Sequence, residues 1–323
     1  MSFAVVGGPD FYWKSTIGYV TSVSFIILLM FLLQRKKEQM TNLLRCLQAS
    51  SMRIDDNQTN LIVIVILFLC PSFYSFLTVV IFVIQDEKQL FTFYFYGYRF
   101  GTTPIWMYVI TFIKCLYVNF VYQSFGNLVT VVYCKFCRHC SLQLRQLNVE
   151  IKNCPPKSFT PSRQLEILQN KRRILDNLFA VEENLSSPSL VLCLALFVSC
   201  MASLGSFLTN IYSENSIFEY VDVFYTLSNG LLALSAIFGT AGQVPIEIED
   251  FGVIFQRKLE DRMFTGIIDD NIRIGKCFID NPRFVLSGLR VIFYTRDLIL
   301  TTIGTILTYA LLVMNLHTSQ LSL

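Results

Sequence analysis

Thr301, Thr305, Thr308, Leu312 and Asn315 follow one another at intervals of 4, 3, 4 and 3 residues, and so fall on one narrow stripe of an otherwise apolar helix. Hydroxyls and an amide in that position are costly against hydrocarbon, and the stripe suits a water-filled pathway or a protein contact. Threonine hydroxyls also bond back to their own helix, and a small residue such as Gly304 favours close packing, so a purely structural stripe fits the same spacing. Lys114 lies ten residues past Pro104, roughly 15 Å along a helix at about 1.5 Å per residue. A charge at that depth either faces a wet cavity, where Glu219 or Asp222 can partner it, or snorkels to the outer interface.

Cys134, Cys137 and Cys140, with His139 among them, contain two Cys-x-x-Cys steps. A structural zinc site needs further ligands from a second segment, and none is evident in the sequence; unmodified thiols or acylation remain the readings. No metal or cofactor is expected. The chain also lacks a zincin motif, a phosphate loop, a dinucleotide fingerprint and a nucleophile elbow, which points away from an enzyme.

These residues must be positioned by a membrane scaffold. The 323 residues are 53% hydrophobic and only 15% charged, with a mean hydropathy of +0.52, a balance foreign to soluble domains. The net charge of +3 is too small to argue for nucleic acid. Runs long enough to cross a hydrocarbon core lie near residues 15–33, 61–84, 104–133, 190–211, 220–239 and 291–316. The first follows no basic start and no cleavage signal, so it reads as a retained helix. With no repeat or Gly/Ser-rich linker, residues 1–323 are taken as one membrane domain.

Lys and Arg are distributed unevenly between the two sides. Five lie between the first and second spans, nine between the third and fourth, and seven from Arg257 to Arg290, whereas the alternate side holds Lys14, Lys88 and Arg99. The positive-inside rule therefore makes the connections 34–60, 134–189 and 240–290 cytoplasmic, with both termini outside a plasma membrane. On this topology the sequons at Asn57 and Asn184 face the cytoplasm and carry no glycan. The aromatic run Phe91 to Phe100 sits at the outer interface, as an anchor or as the rim of a ligand entrance.

Leu165, Leu168, Leu175, Leu178 and Phe179 recur at helical spacing, as do Phe251, Ile254, Phe255, Leu259 and Met263. Both stretches predict extensions of the membrane helices into a cytoplasmic bundle, with isolated surface helices as the alternative. The fold expected is all-α: a polytopic membrane helix bundle of six transmembrane helices with cytoplasmic helical extensions.

The segment from Thr308-Tyr309 through Val313-Met314 to Asn315-Leu316 resembles the signature that closes insect gustatory receptors: Thr-Tyr, five hydrophobic residues, then Gln-Phe. Asn315 stands where the family has Gln, and Leu316 where it has Phe. The run Phe284 to Leu289, with Phe293, Asp297 and Gly304, resembles the approach to that signature, and Leu175 to Pro188 resembles it more loosely.

The resemblance implies tetrameric, ligand-opened cation channels with seven spans, an inside N-terminus and an outside C-terminus. Removal of the family's first helix leaves six spans with both ends outside, the layout given by the charges. The final helix of each of four subunits, in a homo- or heterotetramer, would then line a pore in the lipid bilayer. Leu312 would stand at an apolar gate, Asn315 would form a polar ring outside it, Thr305 and Thr308 would continue the pore face, and Thr308 with Tyr309 would brace the helix. The implied pocket for a small-molecule tastant or odorant lies among the outer halves of the preceding spans, which offer Phe73, Tyr74, Phe76, Trp106, Tyr108, Phe207, Tyr212 and Tyr225, with Lys114 nearby. Aromatic walls suit small organic ligands, although aromatics also fill helix contacts. The rival readings are a G-protein-coupled chemoreceptor, which needs an inside C-terminus, and a transporter, for which neither inverted repeats nor paired broken helices are present.

Overall fold

The computed structural model describes residues 9–51, 63–85, 104–210, 217–264 and 284–321. Five of the six apolar runs are helical over their described residues, because hydrocarbon-length segments satisfy their backbone groups most simply as helix. The elements are α1 (Pro9–Arg35), α2 (Lys37–Ser51), α3 (Cys70–Gln85), α4 (Pro104–Asn119), α5 (Phe125–Asn153), α6 (Pro161–Asn210), α7 (Ile217–Phe264) and α8 (Asp297–Leu321). Two π-helical turns, Val65–Leu69 and Phe120–Ser124, lead into α3 and α5. Tyr108–Asn153, Pro161–Gly205, Tyr220–Phe264 and Asp297–Asn315 are long and apolar enough to cross a membrane, and Val20–Arg35 and Val65–Ile81 are shorter apolar helices. The protein is thus a multi-pass helical membrane bundle.

The sixth run differs from the expectation at its start. Helix begins at Asp297 rather than Val291, because the preceding residues form a β-hairpin. In it β1 (Ser287–Gly288) pairs antiparallel with β2 (Ile292–Phe293), Ser287 opposite Phe293 and Gly288 opposite Ile292. Leu289 and Arg290, in the three-residue connection 289–291, turn the chain at φ of 53° and 60°, in the left-handed region, and the Val291 N–H closes the turn on the Gly288 carbonyl at 2.9 Å.

α6 and α7 run without interruption for 50 and 48 residues, so the extensions expected beyond the apolar runs are continuations of the membrane helices. Their buried faces differ in part from the sequence pattern. On α6 the buried line is Ile167, Lys171, Ile174, Leu178, Val181 and Leu185, while Leu165 and Phe179 are exposed. A charged residue inside the line shifts the face that hydrophobicity alone selects: the Lys171 ammonium lies 4.7 Å from the centroid of the Phe251 ring, a cation–π contact. Burial in this extension pulls the Lys171 pKa below that of an ordinary lysine. On α7, Phe251 and Phe255 are buried and Met263 is exposed.

The main core joins Ile26 and Leu29 of α1 to Tyr133, Cys137 and Leu144 of α5, Leu178 and Leu192 of α6, Ile237 and Val244 of α7, and Leu286 and Tyr294 of the hairpin. A second cluster of Leu147, Ile151, Phe159, Ile167, Phe251 and Phe255 closes the far ends of α5 to α7. There Arg262 donates to the Phe159 carbonyl, clipping the α5–α6 connection to α7. Cys137 and Cys140 are buried on α5 and Cys134 is half-buried, and burial pushes the Cys140 thiol up to about 12. The aromatic run 91–100, Asn57 and Tyr212 lie outside the described residues.

Candidate functional site

Two regions carry the polar chemistry of the bundle. The first is α8. Thr301, Thr305, Thr308, Leu312 and Asn315 are all exposed, so the 4-3-4-3 spacing does generate one face, and that face points away from its own subunit. Only 6% of the apolar stretch Asp297–Asn315 is buried in the bundle, against 39% to 44% for the other three long spans. The helix is held along another side, where the Tyr309 hydroxyl approaches so closely that a Cβ on Gly205 of α6 would lie 2.8 Å from it.

The threonine hydroxyls donate to their own helix: Thr301 to the Asp297 carbonyl at 3.1 Å, Thr305 to Thr301 at 2.8 Å and Thr308 to Gly304 at 2.8 Å. This back-bonding satisfies each hydroxyl proton and leaves the oxygen lone pairs turned outward, as acceptors. A file of acceptors favours cations or water donors over anions. Leu312 follows at 57% exposure, one apolar side chain between Thr308 and the Asn315 amide.

The second region lies where α1, α5, α6 and α7 meet. A cavity of about 20 Å³, room for about one water molecule, is lined by Ile26, Tyr122, Gln123, Ser199, Thr226 and Asn229 among others. Polar side chains surround it in mutual contact. Asn127 donates to Asn229 at 2.9 Å, the Tyr122 hydroxyl and Ser22 share a hydrogen bond, and Ser22 donates to the Ala195 carbonyl at 3.2 Å. The Gln123 side-chain oxygen is buried among them with no donor among the described residues, so the cavity presents an acceptor to whatever enters it. Gln123 and Tyr122 belong to the π turn Phe120–Ser124. Ser124 donates to the Leu67 carbonyl of the other π turn at 3.0 Å, tying the two wide turns together.

Of the aromatic residues expected to wall a pocket, the structure joins Tyr74 and Tyr225, stacked with centroids 4.1 Å apart and 7° between planes. The Tyr74 hydroxyl donates to Asp222 at 2.5 Å, so Asp222 receives a phenol whether or not Lys114 reaches it. Phe207 instead meets Tyr220 edge to face at 5.1 Å. Phe73, Phe76 and Trp106 are exposed on the outside of the bundle, and Tyr108 and Lys114 are half-buried on α4. Gln123, Ser199, Thr226 and Asn229 escape a reading of the sequence because each stands with at most one polar neighbour inside an apolar run. The signal present is the spacing of Asn119, Gln123 and Asn127, which repeats every four residues.

Replacing Tyr74 with Phe keeps the stacked ring but removes the donor from Asp222. The loss is expected to cost about 1–3 kcal/mol, the penalty for stranding a buried acceptor. Thermal melting of the detergent-purified chain reads it directly, and an unchanged midpoint rules the contact out as a stabilising one.

None of the curated proteins matches the chain. Among solved structures, the fold is similar to that of the insect olfactory receptor OR5 from Machilis hrabei, at a TM-score of 0.62 and 15% identity over 94% of this chain and 81% of that one. It is also similar to the same receptor in complex with eugenol, at a TM-score of 0.58 and 14% identity over 95% and 79%. Residues 79–322, from the middle of α3 to beyond the exposed stripe of α8, match the family described as trehalose receptor, and the chain belongs to that family of insect gustatory receptors.

Proposed function

We propose that this chain is one subunit of a ligand-gated cation channel, a single membrane domain that assembles as a homo- or heterotetramer and opens when a small organic molecule binds. The observation that carries the reading is the exposed face of α8. A membrane helix that turns a file of three threonines away from its own bundle suits water or another subunit against them better than lipid, and four such faces around one axis supply both. Leu312 then forms the apolar constriction, closed by dewetting, with the Asn315 amides as a polar ring beside it that replaces part of a cation's hydration shell. No charged side chain lies on the stripe, so the pore discriminates weakly among cations.

The polar cavity between α1, α5, α6 and α7 is the nucleus of the ligand site in this reading. Its present volume admits no organic molecule, so binding widens the junction, and widening is the motion available to drive α8. The eugenol complex of the olfactory receptor of similar fold supports a small organic ligand. Family membership supports a receptor rather than an enzyme.

In this topology the long connections are cytoplasmic and both termini external. An epitope placed after Leu323 is expected to be stained on intact cells at the plasma membrane. Staining only after permeabilisation sinks the channel topology and favours the G-protein-coupled alternative.

A further inference from the structure

Pro188 lies inside α6. Its nitrogen carries no hydrogen, so the Asn184 carbonyl loses its helical donor. Lys36, at the junction of α1 and α2, donates instead, to the Asn184 carbonyl at 3.2 Å and the Glu183 carbonyl at 2.7 Å. The same two turns of α6 hold the hairpin. The Glu182 carboxylate accepts the Ser287 backbone N–H at 2.9 Å and also the Ser287 hydroxyl. The Leu289 N–H donates to the Ser186 hydroxyl at 2.5 Å, and the Ser189 and Tyr294 hydroxyls are 3.0 Å apart.

The hairpin is seated as well as bonded. Ser287 and Tyr294 are buried, and a Cβ on Gly288 would lie 3.0 Å from Leu190 and 2.6 Å from the Tyr294 hydroxyl. Beyond Tyr294 only Thr295 and Arg296 precede α8, and Leu298 N–H already bonds to the Thr295 carbonyl at 3.2 Å. A displacement at the foot of α8 therefore has no slack to absorb it. It must either break the contacts of the hairpin or drag the turns of α6 around Pro188 along.

From this geometry we infer that Glu182 is a positioning residue for α8, latching the hairpin to the turns of α6 around Pro188 and so holding the stripe in its non-conducting place. The inference rests on the channel reading above and adds to it a residue far from both the cavity and the gate. The carboxylate suits the task because it is acceptor-only and Ser287 presents two donors to it. A glutamine of the same shape brings an NH2 group against those donors, so Glu182→Gln loosens the latch without leaving a cavity.

Two readouts separate the latch from the channel. In membranes open on both sides, trypsin is expected to cut after Arg290 about tenfold faster in Glu182→Gln and in Ser287→Ala than in the wild-type chain, since cleavage in a tight turn requires local opening. Arg163→Ala, which breaks the exposed pairs with Glu150 and Glu166, leaves that cut unchanged. In whole-cell recordings at matched surface expression, Glu182→Gln raises the resting cation current about tenfold, the shift that follows from removing one good contact from the closed state. An unaltered rate of cleavage after Arg290 in both variants overturns the latch. Faster cleavage with an unaltered current, in cells where Leu312→Ser conducts, overturns its coupling to the gate. A Leu312→Ser chain that is silent at the surface overturns the channel reading instead, and the cleavage rates still decide the latch.

Discussion

Cells expressing the Leu312→Ser variant are expected to carry a cation current without any ligand. In the proposed tetramer a ring of leucines excludes water because it offers no hydrogen bond, and one hydroxyl per subunit removes that barrier to wetting. The residue is already exposed on the outer face of α8, so the substitution costs the subunit no core packing and the chain still reaches the surface. The resting current should exceed that of the wild-type chain by on the order of tenfold or more, the change made by lowering a barrier about 1.4 kcal/mol. A second substitution, Asn315→Ala, should then alter conductance or cation preference, because it removes the polar ring proposed next to the gate. Whole-cell recording with surface labelling checks both. A surface-labelled Leu312→Ser chain that passes no current would falsify the assignment of the gate.

The largest loss of stability is expected at Tyr294. Its side chain is 0% exposed, its ring meets Tyr133 edge-on at 6.1 Å and Phe238 at 5.7 Å, and its hydroxyl pairs with Ser189. Tyr294→Ala empties that site and should cost about 3–5 kcal/mol, the range for a fully buried aromatic. Tyr294→Phe keeps the ring and should cost only about 1 kcal/mol, the worth of one hydrogen bond. Melting of the two purified variants in detergent separates the contributions. Equal midpoints would mean that the ring contributes nothing beyond its hydroxyl.

Hydropathy and the spacing of residues in the last helix make the helices and the exposed stripe legible in the sequence itself. Lipid-length apolar runs have essentially one outcome, and a 4-3-4-3 pattern fixes a face whatever surrounds it. What the sequence hides depends on long-range contacts. The hairpin before α8 has Leu289 and Arg290 at its left-handed positions, not the Asn or Gly that marks such turns, and the bonds from Ser287 and Leu289 to Glu182 and Ser186 of α6 hold that conformation. The buried face of α6 departs from the hydrophobic pattern because Lys171 occupies it, and no hydrophobicity scale anticipates the Phe251 ring that receives the charge. The cavity is hidden for a related reason: Gln123, Asn229 and Ser199 come from three separate segments of the chain, and their proximity is a property of packing. The aromatic residues expected to wall a pocket divide, Tyr74 and Tyr225 stacking inside the bundle and Trp106 turning outward, because an apolar helix in lipid carries no polar face to say which side is inside.

The π turn at Phe120–Ser124 has a consequence for how such a receptor can change over generations. A π turn holds one residue more than the α-helix around it, and each residue of an α-helix advances it by about 100°. Loss of a single codon within the turn would restore regular helix and rotate the preceding half, with Trp106, Tyr108 and Lys114, by about that angle relative to the following half, with Tyr133 and Cys137. The core around Tyr133 and Cys137 would stay in register while a new set of side chains faced the opposite end of the bundle. The widened turn thus works as an indexing joint, at which one small deletion re-aims half a helix that point substitutions alter only residue by residue.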